Sequence, residues 1–129
     1  MTSFLTIMIV MAAITNPLQP CPSSPNCVSS QAADTHFIKP FMVAGDIRAS
    51  FEKLKDILER RSDTTIISAD NNTIKVEFRT TLGFVDDGIF LLDEINKQIH
   101  IRSASRSGYW DLGKNRRRIE EIREDLQNE

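Results

Sequence analysis

The chain has no surplus of either charge: 16 basic and 18 acidic side chains leave a formal net charge of -2. That balance excludes a general nucleic-acid binder, whose affinity rests on excess cationic charge. Metal ligands are scarce as well. With two cysteines and only His36 and His100 for histidines, nothing in the spacing assembles a four-ligand zinc site, so no metal and no cofactor is expected. There is no glycine-rich phosphate loop and no dinucleotide fingerprint. Ser103, Ser105 and Ser107 lack a Gly-x-Ser-x-Gly elbow and read as surface serines. His100 has no carboxylate at a telling spacing. These absences leave no recognisable catalytic constellation, and the reading leans away from an enzyme.

A long hydrophobic run is missing too. Residues 4–14 are almost wholly apolar, but Asn16-Pro17 ends the run well short of the roughly 20 residues a spanning helix needs. That length suits the apolar part of a signal peptide, although no lysine or arginine precedes it. Residues 1–20 are therefore read as a signal-peptide-like or membrane-anchor segment. The expected location is exported or membrane-associated, on the periplasmic or other extracytoplasmic side. The competing reading is a buried N-terminal strand or helix.

What is present describes one ordinary domain. At 129 residues, with 40% hydrophobic and 26% charged side chains, the chain can bury a core without a staple. Cys21 and Cys27, alone and just after an export-like segment, suggest a disulfide closing a short proline-stiffened loop. Residues 28–37 read as a loop, and 37–43 as an edge strand or arm interrupted by Pro40. Asp46 is a good N-cap for a helix carrying Ile47, Phe51, Leu54 and Leu58. Strands follow at 64–69 and 73–81 around an Asp70-Asn71-Asn72 turn. The apolar run 89–92 suggests a strand covered on both faces. After a turn at 94–97, residues 98–105 alternate again, and a last helix starts near Asp111 or Asn115. The class is α+β: an antiparallel sheet of about four to five strands packed with two amphipathic helices. Ile74, Val76, Phe78, Ile99, Ile101, Ile119, Ile122 and Leu126 are the expected core.

The densest stretch is residues 102–118, which holds five arginines, a lysine, the only tyrosine and the only tryptophan. Arginines at a helix start oppose the positive end of its dipole. They are either neutralised by carboxylates or offered to an anion. Arg79, Asp86, Asp87, Arg102, Arg106, Asp111, Arg116 and Arg118 are the candidate residues, with three readings. They form an internal ion-pair network, or an anion pocket aided by free N–H groups after Asp111, or a hydrolase-like site using Asp86 or Asp87 as base. Adjacent strand residues face opposite ways, so Asp86 and Asp87 are not expected to act as a dyad. Replacing Arg106, paired through Asp86 or Asp87, by alanine is expected to lower stability substantially, whereas Arg117→Ala should do little. Tyr109 and Trp110 either line a pocket or close the sheet-to-helix turn over the core, the latter being favoured.

The motifs Cys-Pro-Ser-Ser-Pro-Asn-Cys-Val-Ser-Ser at 21–30, Gly-Phe-Val-Asp-Asp at 83–87, Arg-Ser-Ala-Ser-Arg-Ser-Gly at 102–108 and Asp-Leu-Gly-Lys-Asn-Arg-Arg-Arg at 111–118 resemble the domain of unknown function 1499 family. The resemblance covers residues 21–126 within an expected domain at 21–129. It implies a small domain of bacteria and plants, often behind an export, transit or membrane segment, and lends no reaction. Trp110 departs from the smaller polar residue expected beside Tyr109, which would narrow any pocket bordering that turn. The reading that results is a small extracytoplasmic binding or accessory module, its partner a small anion or an anionic group on a larger molecule. Membrane association would run through the N-terminal segment. The alternatives are a structural or interaction protein with internally paired arginines and, less favoured, the hydrolase.

Overall fold

The computed structural model of the chain describes residues 18–128. The expected export or anchor segment therefore lies, as far as residue 17, outside the described residues. In chain order the elements are β1 (Cys27–Ser29), β2 (Phe41–Met42), α1 (Ile47–Arg60), β3 (Thr64–Ala69), β4 (Thr73–Arg79), β5 (Val85–Asp93), β6 (Gln98–Ser105) and α2 (Lys114–Asn128). The strands form one antiparallel sheet in the order β1-β6-β5-β4-β3, and β2 also pairs with β6. The protein is thus an α+β domain with two helices.

Local chemistry accounts for most boundaries. The Asp46 carboxylate accepts from the N–H groups of Arg48 and Ala49, both at 3.1 Å, and so starts α1. Asp70 turns β3 into β4 by accepting from the N–H groups of Asn72 and Thr73 at 2.9 and 2.8 Å. Along β4, Ile74, Val76 and Phe78 alternate toward the helices. Across the ladder they meet Phe90, Gly88 and Asp86 of β5, and those meet Ile101, Ser103 and Ser105 of β6. Ile47, Phe51, Leu54, Ile57 and Leu58 of α1, with Ile119 and Ile122 of α2, close the same core. Leu126, expected inside, is only partly buried and packs at the core's fringe.

Two local expectations need correction. Residues 27–29 are strand rather than loop, with Cys27 and Val28 buried against β6. A three-residue strand is too short to show a period, so only its partner reveals it. Conversely, the arm at 37–43 is strand only at Phe41 and Met42, with an isolated bridge from Phe37 to Ser29 before it, because Pro40 has no N–H to contribute.

Candidate functional site

The sheet divides the sequence-predicted charges between its two faces. Asp86 shares the helix-facing parity of Phe78 and is 3% exposed. There the Arg118 guanidinium meets it: Nη1 lies 2.9 Å from Asp86 Oδ2, the two side chains being 3% and 4% exposed. Arg118 also lies 4.5 Å over the Phe78 ring and 3.7 Å from Asp63 Oδ2. Its Nη1 donates to Asn115 Oδ1 at 3.4 Å, while its Nη2 is buried with no hydrogen-bond partner. Burial works to raise the Asp63 carboxyl, but hydrogen bonds from Arg61 and Thr64, with the charges of Arg61 and Arg118, hold it below its usual range.

Asp87 points to the opposite face, as strand parity requires. Arg106 reaches it at 2.6 Å and Glu77 at 3.1 Å, and Arg79 lies 3.6 Å from Glu77. Arg106 and Asp87 are 52% and 49% exposed, so the structure gives the buried pairing to Arg118 rather than to Arg106. Arg102 donates to the Pro20 carbonyl at 3.3 Å and its Nε is buried without a partner. Burial pushes this guanidinium down from its ordinary pKa, against the opposing charge of Asp87. Arg116 donates to the carbonyls of Phe37 and Thr35 at 2.9 and 3.1 Å. Arg102, Arg106, Arg116 and Arg118 therefore each engage a different part of the chain.

Asp111 occupies the place foreseen for an external anion. Its carboxylate accepts from the N–H groups of Gly113 and Asn115 at 2.8 and 3.0 Å and from Asn115 Nδ2 at 2.9 Å. Burial works to raise the Asp111 carboxyl, and these hydrogen bonds hold it below the usual carboxylate range. Asn115, fully buried, also accepts from Ser103 Oγ at 2.6 Å and donates to Ser105 Oγ at 3.1 Å. A longer bond of 3.4 Å runs from its Nδ2 to the Asn26 carbonyl, and Asn26 Nδ2 donates to the Gly108 carbonyl at 2.7 Å. The loop closed by the Cys21–Cys27 disulfide is thereby fastened to β6 and the start of α2. All four motif segments meet at this one end of the domain.

Beside that junction lies a cleft of about 300 Å³, lined by Leu82, Phe84, Trp110 and Leu112, with Asp86 and Lys114 among its polar groups. Its apolar side chains are unusually open: Leu82 is 83% exposed, Phe84 56%, Trp110 69% and Leu112 64%, with Tyr109 nearby at 71%. Tyr109 and Trp110 thus do not close over the core. Left-handed backbone at Gly108 (φ 85°), Leu112 (φ 57°) and Gly113 (φ 75°) instead carries the loop outward.

One constellation escaped the sequence. Ser30 Oγ lies 3.1 Å from His100 Nδ1 and Asp93 Oδ2 lies 3.3 Å from His100 Nε2. Only the β5–β6 register, which sets Asp93 against Gln98 and Leu91 against His100, could have placed that carboxylate. All three residues are buried, and Ser30 Oγ also accepts the Ile101 N–H at 2.8 Å. The string pairs these buried polar groups with one another. Among the described residues no group of three or more histidine, cysteine, aspartate or glutamate side chains is placed to hold a metal.

The model of the family described as protein of unknown function (DUF1499) matches residues 17–126, a span that contains every motif at this end of the domain. No curated protein and no solved structure matches the chain.

Proposed function

Since the chain belongs to the DUF1499 family, whose membership carries no reaction with it, we propose from the cleft that it is a binding or accessory module of exported or membrane-attached character. One observation carries this reading. Leu82, Phe84, Trp110 and Leu112 stand 56% to 83% exposed around a cleft, the first two on a loop closed by Thr80 and the last two beside Asp111, which the buried Asn115 holds in place. Contiguous open apolar surface of this kind marks interaction sites, and concave apolar sites with a few polar groups suit small ligands. Arg118 supplies support behind the cleft through its buried pair with Asp86, which is the part of the structural reading this pair favours. Asp86 is engaged by Arg118 and Asp87 by Arg106, an arrangement that supports neither as a general base. The disulfide supports an oxidising compartment. No helix among the described residues is long and apolar enough to cross a membrane.

Trp110 is the only tryptophan, so its emission reports the cleft directly. Titrating the full chain with decanol should shift Trp110 emission to the blue and saturate at one site. In L82S/L112S, folded as judged by its melt, the shift should vanish. Unmoved emission up to the solubility limit, or an identical titration in the double variant, would overturn the reading.

A further inference from the structure

The first five residues of α2 include Lys114, Arg116, Arg117 and Arg118, all near the positive end of the helix dipole. Of these only Arg118 is met by carboxylates, those of Asp86 and Asp63. Arg116 is spent on the carbonyls of Phe37 and Thr35. Arg117 donates to the Leu112 carbonyl, at the cleft's rim, and has no carboxylate partner. Lys114 lines the cleft itself, and its ammonium makes neither a hydrogen bond nor an ion pair among the described residues.

Two acidic groups face the same space. Asp86 is paired with Arg118 at 2.9 Å, and both oxygens of Asp111 are taken by N–H donors. What the cleft offers an occupant is therefore apolar wall from Leu82, Phe84, Trp110 and Leu112 and the free ammonium of Lys114, with Arg117 beside the lining at Leu112. These two cations outweigh by one the carboxylate charge of Asp111, which its amide donors leave in place. Building on the reading of the cleft as a binding site, we propose that its ligand class is a single-chain amphiphile with an anionic head, such as an acyl carboxylate. The chain lies along the apolar wall and the head faces Lys114. A cavity of about 300 Å³ is at the small end of the range for small-molecule sites, which suits one chain of moderate length rather than a two-chain lipid.

The test compares three decyl compounds on the full-length protein by Trp110 emission, below their aggregation concentrations: decanoate, neutral decanol and decyltrimethylammonium. At low salt decanoate should bind about two- to fivefold more tightly than decanol, the range expected for a solvent-accessible charge pair. The cationic compound should bind more weakly than decanol. Rising ionic strength should erode the decanoate preference, and K114Q/R117Q should bring the decanoate-to-decanol ratio to about one. Each methylene added to the carboxylate should tighten binding about fourfold until the cleft is filled. Equal binding of decanol and decanoate, or a preference that survives in K114Q/R117Q, overturns the ligand class while the cleft remains a binding site. If none of the three binds, the cleft reading falls and the ligand class with it.

Discussion

Replacing Arg118 by methionine should destabilise this protein more than any other single change to its arginines. The methionine keeps apolar volume over the Phe78 ring, which the guanidinium covers at 4.5 Å, so the cost is mainly electrostatic. It strands Asp86, whose side chain is 4% exposed and whose ion-pair partner is Arg118. Removing one arm of a buried pair costs about 3–5 kcal/mol. For a domain of this length that is a fall in Tm of about 12–20 °C. Arg106→Ala is the control: its pair with Asp87 is half-exposed on both sides, and solvent screening leaves little to lose. The double variant R118M/D86L removes both charges together and should be more stable than R118M alone, since no buried charge is left uncompensated. The assay is thermal and urea denaturation at neutral pH with the disulfide intact. An R118M melt no lower than that of Arg106→Ala, or a double variant less stable than R118M, would refute the reasoning.

Three other outcomes follow from the same structure. Gly88→Ala would place a Cβ 2.6 Å from Phe78 Cε2 and 2.8 Å from Val76 Cγ2; overpacking at this β5 position should cost about 1–3 kcal/mol in a urea titration. Cys21→Ser opens a disulfide between residues separated by 6 positions and should cost about 2 kcal/mol on the chain-entropy model. Mass spectrometry of the unreduced parent should find it two protons lighter than the reduced form. His36 has its pKa raised above 6.5 by the Ser24 carbonyl and by Asp34, so its protonated form stabilises the fold. That contribution is complete below 6.5 and is lost as pH rises through the folded-state value. The melting difference between the parent and His36→Gln should therefore be larger at about pH 5.5 than at about pH 9, and a difference that grows with pH would contradict it.

The sequence by itself determined the parts of this protein that depend on a side chain's direction within its own element. Alternation placed Ile74, Val76, Phe78, Ile99 and Ile101 on the buried face, and helical spacing did the same for Ile119 and Ile122, all now in one core. Asp46 announced its helix, and strand parity separated Asp86 from Asp87 before any fold was known. The motif segments identified the family over most of the chain, and the isolated cysteines announced their disulfide. Tertiary structure alone decided which charge meets which. Parity put Asp86 on the inward face, but only the seating of α2 against α1, β6 and β1 delivers Arg118 to it. The string Ser30–His100–Asp93 likewise exists only once β1 and β5 flank β6. Trp110 and Tyr109 were sorted by backbone rather than hydrophobicity, because left-handed residues on either side turn their loop away from the core. Periodicity reports orientation within an element, whereas partnership depends on register and packing between segments distant in sequence, and no local pattern encodes those.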